Sequence, residues 1–186
     1  SPHPGFMNDA FVQAATELPT VCESFHVPMQ SGANRILKRM RRGYTIEEYM
    51  DRIDALRGRM ARVAFSTDVI VGFPGETEDE FQCTRKAMER AGFEMAYIFK
   101  YSPRSGTKAA EMADDVPPAV KDERNQILLA DLAARSKRAN KTYLGDTVSV
   151  LVEGVSKRNK ERWTGRSRTN KVCLFPPTEG MRPGDI

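Results

Sequence analysis

Polar residues follow three apolar stretches of the sequence, at the points where each stretch should end as a β-strand. The first leads into residues 28–32 (PMQSG), the second runs through Ser66 and Asp68 to 72–75 (GFPG), and the third gives 100–104 (KYSPR). The carboxyl ends of parallel strands meet at one edge of a sheet, where α/β proteins bind their ligands. Such side chains suit a polar, ribose-bearing ligand. Each of the three stretches, taken alone, is also typical of a turn.

Residues 156–171 (SKRNKERWTGRSRTNK) concentrate the positive charge. They carry seven Lys/Arg and one Glu, a net +6, whereas the whole chain has +4, so the remaining residues sum to −2. Cations interleaved with an aromatic ring can neutralise phosphates and stack a base. A solvated hairpin with its tryptophan turned into a small core is the alternative. The predicted RNA contacts of this basic segment are Lys157, Arg158, Lys160, Arg162, Trp163, Arg166, Arg168 and Lys171.

Cysteine and histidine usage predicts no metal site. Cys22, Cys83 and Cys173 are far apart and odd in number, which favours reduced thiols in a cytoplasmic protein over disulfides or a zinc or iron–sulfur site. His26 alternates with apolar neighbours on a strand and is predicted to be a hydrogen-bonded core residue rather than a ligand or base, and His3 is interpreted in the same way. No apolar run approaches the ~20 residues of a membrane span, so no membrane partner is expected.

The first three-quarters of the chain alternate strand and helix patterns. Strands are predicted over 21–29, 63–71 and 94–101. Capping boxes at Thr45 and Thr77 begin two helices. Shorter and longer helical patterns lie at 33–41 and from Pro117-Pro118 to about Lys141. The alternation indicates βαβ units and a parallel sheet with too few units for a closed eight-stranded barrel.

The last part of the chain has a different pattern. Residues 147–152 (TVSVLV) predict a strand, followed by a glycine turn, the basic segment and a strand over 172–175. Short strands with Gly, Pro and Asn turns are typical of a small β-barrel, which needs about five strands. Three or four are present. The prediction is therefore one domain over residues 1–141 and a second, cut short, over 142–186.

Several blocks of the sequence resemble, in order and spacing, the radical-SAM methylthiotransferases. The QSG motif and the TGRSRTNK block are most similar to the MiaB type of that family, which adds a methylthio group to C2 of N6-isopentenyladenosine at position 37 of tRNA. Rival readings are a relative acting on threonylcarbamoyladenosine or on a ribosomal protein, or a non-catalytic RNA-binding module. The blocks are 1–4 (SPHP), 25–32 (FHVPMQSG), 37–44 (LKRMRRGY), 66–77 (STDVIVGFPGET), 99–107 (FKYSPRSGT) and 164–171 (TGRSRTNK).

The resemblance implies an α/β fold, namely the C-terminal half of a partial (βα)6 radical-SAM barrel followed by a TRAM/OB-like β-barrel that is cut short. It implies S-adenosylmethionine and two 4Fe–4S clusters in the full-length enzyme, with no cluster ligand in this chain. The implied partners are tRNA and a missing N-terminal part of the same polypeptide. By itself, the chain is expected not to cleave S-adenosylmethionine.

The resemblance also implies a cofactor-binding wall. Gln30 and Asp68 would reach the ribose or amino-acid part of S-adenosylmethionine, and Arg42 would pair with its carboxylate. Arg42 as a surface arginine is the alternative. The backbone at Gly72 would lie along the adenine, while Arg104 would face tRNA. The complete cofactor-binding set is Gln30, Arg42, Ser66, Asp68, Val71 and Gly72.

Overall fold

The computed structural model describes residues 2–186, so Ser1 of the SPHP block lies outside the described residues. Five α-helices and six β-strands follow one another, with short 3-10 helices at Pro4–Phe6 and Lys108–Glu111. The order is α1 (Asp9–Glu17), β1 (Ser24–His26), α2 (Asn34–Arg39), α3 (Ile46–Arg57), β2 (Ala64–Val71), α4 (Glu78–Ala91), β3 (Met95–Lys100), α5 (Pro118–Lys141), β4 (Val150–Val155), β5 (Trp163–Ser167) and β6 (Val172–Phe175).

The first three strands form a parallel sheet in the order β1-β2-β3, which confirms the predicted βαβ pattern. Parallel neighbours need crossover connections, and α2 with α3 provides one while α4 provides the other. β1 is shorter than the predicted strand over 21–29. An isolated bridge between Gln30 and Val69 nevertheless carries the parallel pairing further. The polar residue Gln30 is thereby held beside β2.

One face of the parallel sheet is covered by helices. Phe65, Val69 and Val71 of β2 are buried, together with Tyr49 of α3 and Phe81 of α4. The Tyr49 hydroxyl donates to the carbonyl of Val27 at 2.7 Å, and burial raises the pKa of this phenol. Alternation along β2 therefore leaves Ser66, Asp68 and Ile70 on the opposite, open face.

Local sequence signals place the helix ends correctly. Both capping boxes are present, because Thr45 and Thr77 each accept from the backbone three residues later and the glutamate there bonds back. Gly92, at φ 63°, ends α4 in the left-handed conformation. α1 was not predicted, although Asn8 caps it by accepting from the Phe11 N–H at 2.9 Å. An asparagine cap before an alanine-rich stretch was the available signal.

The last three strands form an antiparallel sheet in the order β4-β5-β6. The predicted strand over 147–152 is displaced to Val150–Val155, and the predicted glycine turn is wrong. Gly154 lies inside β4 with φ 122°, where the pairing with β5 shifts register. Near the chain end, Val152 exchanges backbone hydrogen bonds with Gly184 and Asp185, both at 2.9 Å.

The described residues thus contain mixed α/β structure with one parallel and one antiparallel three-stranded sheet. Among residues 2–186, no helix is long and apolar enough to cross a membrane.

Candidate functional site

A cavity of about 740 Å³ lies at the carboxyl ends of the parallel strands. It gathers Gln30 from the end of β1, Asp68 from β2, and Arg42 and Arg104 from loops. Further cations in its lining are Arg39, Arg41, Lys100 and Lys108. Within the described lining, Asp68 alone is acidic, so we name this space the basic cavity. Its position matches the edge predicted from the strand-end residues.

Gln30 is held in an uncommon backbone conformation. Its φ is 67°, its N–H donates to the Asp68 carbonyl at 2.8 Å, and its carbonyl accepts from the Ile70 N–H at 2.9 Å. A non-glycine residue in the left-handed region costs free energy and is concentrated at ligand sites. Burial raises the pKa of nearby Tyr44 to about 12, and this neutral phenol donates to the carbonyls of Pro28 and Met29.

The glycine that follows in the QSG motif serves packing. A Cβ on Gly32 would lie 2.6 Å from the Cys83 carbonyl oxygen and from the Thr84 Cα. The Gly32 N–H donates to Thr84 Oγ1 at 2.9 Å, and Ser31 Oγ lies 3.3 Å from the same oxygen. Since only glycine permits this approach, the motif fixes α4 against the loop that carries Gln30.

Arg42 lines the basic cavity with an unsatisfied donor. Its backbone is anchored, because its N–H donates to the Leu37 carbonyl at 3.0 Å and its carbonyl lies 3.1 Å from His3 Nε2. Its Nε, like that of Arg39, is buried without a hydrogen-bond partner among the described residues. An unpaired buried donor costs about 1–3 kcal/mol. Six cations and one carboxylate line the cavity, so the lining fits an anionic group of a ligand.

His26 connects two side chains on the open sheet face. Its Nδ1 lies 3.0 Å from Ser66 Oγ and its Nε2 lies 3.3 Å from Asp68 Oδ2. The predicted hydrogen bonding of His26 is confirmed, whereas its predicted place in the core is wrong, because its side chain is 29% exposed. Sequence reasoning missed its place beside the candidate site, since the pairing of His26 with Ser66 depends on the strand register. The side chains of His26 and Asp68 are 29% and 28% exposed, so both remain accessible.

A second cavity, of about 980 Å³, lies between the two sheets. The parallel sheet contributes His26, Ser66 and Tyr97, whereas the antiparallel sheet contributes Leu151 and Arg166. We call it the intersheet cleft. Ser66, predicted beside the cofactor, lines this cleft and not the basic cavity. The hydrogen bond between His26, which lines the cleft, and Asp68, which lines the basic cavity, joins the walls of the two cavities.

Val71 and Gly72 lie outside both linings. Gly72 has φ 68°, and its N–H donates to Glu76 Oε2 at 2.7 Å. The place of its missing Cβ is taken by the stem of Lys121, whose Cγ would be 2.3 Å away. The close approach that glycine allows is thus used by a lysine of α5. The predicted contact of this backbone with a ligand stays a prediction.

The basic segment divides into two halves. Arg166 pairs with Glu153 at 3.0 Å, Arg168 pairs with Glu23 at 2.8 Å, and Lys171 pairs with Glu94. The hydrogen bond from Arg168 lowers the pKa of the Glu23 carboxyl, although burial opposes this shift. Two of these pairs fasten the antiparallel sheet to the rest of the chain.

The other half of the segment is free. The side chains of Lys157, Arg158, Lys160 and Arg162 are exposed between β4 and β5, and no ion pair to another described residue involves them. Trp163 is half-buried and pairs with Val155 and Phe175 across the sheet, so both its contact with RNA and its place in a small core stay predictions. Arg104 was expected to face tRNA with these residues, but it lines the basic cavity.

The described residues do not fit an iron–sulfur cluster. Within residues 2–186, no three His, Cys, Asp or Glu side chains come close enough to hold a metal ion. Cys22 and Cys83 are exposed free thiols, and Cys173 is a half-buried one. No chemical step through a cluster can therefore be derived from these side chains.

Sequence comparison assigns two families to the chain. Residues 3–88 match the Radical SAM superfamily, and residues 141–186 match the TRAM domain. These two matches include, respectively, β1 and β2 of the parallel sheet and all strands of the antiparallel sheet.

Curated relatives extend over nearly the whole chain. Each of three is named tRNA-2-methylthio-N(6)-dimethylallyladenosine synthase. The relative from Opitutus terrae is 51% identical to this chain over 97% of its residues. The relative from Corynebacterium urealyticum is 43% identical over 100% of the chain, and the relative from Acetivibrio thermocellus is 47% identical over 93% of the chain. The chain spans 38%, 35% and 36% of the lengths of these relatives.

A solved structure supports the fold alone. Coproporphyrinogen III oxidase from Escherichia coli, described as a radical-SAM enzyme, superposes with a TM-score of 0.52 at 12% identity. The superposition covers 78% of this chain and 41% of that enzyme. The sequence matches, and not this superposition, place the chain in the radical-SAM tRNA methylthiotransferase family.

Proposed function

We propose that the chain forms part of an enzyme that adds a methylthio group to C2 of N6-isopentenyladenosine (N6-dimethylallyladenosine) at position 37 of tRNA. The observation that carries this proposal is the basic cavity, where Gln30, Arg42 and Asp68 meet at the strand ends beside a second, open cleft. A reaction between a cofactor and a nucleoside requires two adjoining sites. The activity is that of a whole protein, of which this chain spans a part.

The finer architecture belongs to the same proposal. We infer that residues 1–141 are the C-terminal half of a partial (βα)6 barrel and that 142–186 form a TRAM-like β domain. Three successive parallel strands with their helices on one face support the first inference. The family match over 141–186 and the antiparallel sheet support the second.

S-adenosylmethionine is the ligand that we assign to the basic cavity. When bound, it would supply a 5′-deoxyadenosyl radical and release methionine after accepting one electron from a 4Fe–4S cluster of the full-length enzyme. Arg42 would bind its carboxylate through the unpaired Nε and the rest of the guanidinium. Asp68 would accept from a ribose hydroxyl, since one of its oxygens faces His26 and the other has no hydrogen bond to a described residue. Gln30 would contribute an amide from its strained position.

Transfer RNA is the partner that we assign to the free half of the basic segment. Four exposed cations in one turn can neutralise neighbouring phosphates, and each contact made releases bound counterions. Arg168 and Lys171 are already paired within the chain, so we assign them to domain packing rather than to RNA.

Isothermal titration of S-adenosylmethionine into the chain tests the cofactor site. Replacing Arg42 by alanine should weaken binding by about tenfold or more, because a charge-assisted hydrogen bond is worth roughly 1.5–3 kcal/mol. Lys38→Ala is the matched control, since Lys38 is an exposed cation of α2 outside the cavity lining. Equal affinities for the two variants would remove Arg42 from the site.

Titration of labelled tRNA at several salt concentrations tests the RNA partner. The triple variant Lys157→Ala/Arg158→Ala/Lys160→Ala should lower the slope of log affinity against log salt by about 2–3. The control removes three exposed cations from the helices instead, with Lys86→Ala, Lys137→Ala and Lys141→Ala. A tRNA affinity that does not change between about 50 and 200 mM salt would contradict phosphate contacts altogether.

A further inference from the structure

We propose that the intersheet cleft binds the target base and that Met95, Tyr97 and Leu151 recognise its dimethylallyl group. This inference rests on the proposed function and deepens it by assigning the substrate's apolar group to named side chains. The antiparallel sheet would then form one wall of the substrate pocket as well as carrying the basic segment.

Large apolar side chains are exposed where the two sheets face one another. Met95 and Tyr97 of β3 are 40% and 53% exposed, and Leu151 of β4 is 48% exposed. All three line the same cleft. Exposed apolar groups that converge on one concavity indicate an apolar ligand group. A branched five-carbon dimethylallyl chain has this chemistry, whereas ribose and phosphate do not.

The parallel sheet adds a flat aromatic surface for a purine. The rings of Tyr97 and Phe99 lie 6.5 Å apart with an interplanar angle of 15°. Tyr97 lines the intersheet cleft, whereas Phe99, 52% exposed, lines the adjoining basic cavity. The His26 ring meets Tyr97 edge-on at 6.2 Å. Unpaired RNA bases stack on surfaces of this kind. His26, with a side chain 29% exposed, supplies a polar group to the same lining, whereas Ser66 is 8% exposed and its hydroxyl lies 3.0 Å from His26 Nδ1.

Positive charge connects the cleft to the basic segment. Arg166 pairs with Leu151 across the sheet and lines the cleft, and its exposed ion pair with Glu153 would open for it to contact a phosphate. Arg162 immediately precedes β5 and lies four residues from Arg166, which is about 13 Å of extended chain at roughly 3.3 Å per residue. An RNA strand leaving the cleft along β5 would meet a second cation before the free turn. The charge arrangement therefore favours a nucleotide within a polyanion over a free nucleoside.

The test compares two RNA hairpins that differ in one group. Each has a single unpaired adenosine in its loop, and one of them carries the N6-dimethylallyl group. We expect the wild-type chain to bind the alkylated hairpin about tenfold more tightly, since a well-formed apolar pocket discriminates a single methylene by about 10–200-fold. The measured quantity is the ratio of the two dissociation constants at fixed salt.

Leu151→Ser and Met95→Ser should bring this ratio close to one and leave the affinity for the plain hairpin unchanged. Tyr97→Ala should weaken both hairpins because a stacking partner is lost, and Tyr97→Phe should restore them. Leu174→Ser is the matched control. Leu174 is 58% exposed on the same antiparallel sheet but lies outside the cleft lining, so its variant should keep the wild-type ratio.

The outcomes separate this inference from the proposed function. If the wild-type chain binds both hairpins equally, or if Leu151→Ser and Met95→Ser both keep the discrimination, the assignment of the cleft is overturned while RNA binding stands. If neither hairpin binds, the proposed function fails and this inference fails with it.

Discussion

Two arginines show how differently this chain uses positive charge. Arg124 of α5 lies under the parallel sheet, 5% exposed, where it pairs with Glu76 at 2.9 Å and donates to the Glu76 carbonyl. Arg158 lies in the turn between β4 and β5, exposed and without an ion pair to the described residues. Arg168 is intermediate, since it is exposed but pairs with Glu23. Burial and partners, and not charge density, separate a structural cation from one that is free to bind a ligand.

The largest expected effect comes from breaking the buried pair. Arg124→Met should lower the free energy of unfolding by about 3–5 kcal/mol, because Glu76 would stay buried without its main partner. Urea denaturation measures the change. Replacing both partners, with Glu76→Gln and Arg124→Met, should recover part of the loss. Arg158→Met should leave stability unchanged, and a loss equal to that of Arg124→Met would contradict the comparison.

Lys121 offers a second test of a buried cation. Its side chain is 7% exposed, pairs with Asp114 at 2.6 Å and fills the space beside Gly72. Gly72→Ala should lower the free energy of unfolding by about 2–3 kcal/mol. The alanine would have to keep the left-handed backbone conformation, and its Cβ would occupy the place of the lysine stem. Gly43→Ala has a similar φ, 71°, with no atom within 4 Å, and should cost only about 1 kcal/mol. Equal losses in thermal unfolding would show that Lys121 moves away freely.

Arg158→Ala should change the salt dependence of tRNA binding, whereas Arg168→Ala should change only the stability of the fold. Arg158→Ala should lower the salt slope of tRNA binding by about 1, as expected for one lost phosphate contact. Arg168→Ala should leave that slope unchanged and lower the thermal midpoint by about 1–2 °C, since exposed ion pairs contribute little. If Arg168→Ala instead reduced the salt slope, Arg168 would belong with the free cations.

The smallest effect is the pH dependence of the Arg168–Glu23 contact. The pKa of Glu23 is lowered from 4.5 in the folded chain, so the contact contributes its full stability above that value. The contribution is lost as pH falls below 4.5 through the folded pKa. We expect Glu23→Gln to lower the thermal midpoint slightly at pH 7 and the difference from the wild type to shrink as the pH falls below 4.5. A difference that grew as the pH fell below 4.5 would contradict an ionic contact.

Local signals in the sequence predicted much of the fold. Thr45 and Thr77 cap helices through atoms three residues away, so their roles depend on short stretches of chain. The strand–helix alternation is equally local. The displaced strand β4 is different, because whether Gly154 begins a turn or forms a bulge depends on its pairing with β5. Strand positions in the antiparallel sheet were therefore less predictable than helix ends.

The candidate site was predictable only in part. Gln30, Arg42 and Asp68 line one cavity, although only Gln30 follows a strand, while Asp68 lies within β2 and Arg42 follows α2. Ser66 lies in the neighbouring cleft together with His26, which the sequence analysis did not place at a site. The two side chains are neighbours because the register of β1 on β2 pairs His26 with Ser66, and this register is not visible in the sequence. Cofactor binding by Val71 and Gly72 remains a prediction.

By itself, the sequence determined where helices begin, that three strands run parallel, and that one segment carries a net charge of +6. These properties follow from periodicity, capping residues and composition, which act over a few residues. Tertiary structure alone decided which cations of that segment are free, because Glu23 and Arg168 are 145 residues apart in the chain. It also placed Leu151 opposite Tyr97 across a cleft. Contacts between distant residues depend on how the two sheets meet, and no local pattern encodes that geometry.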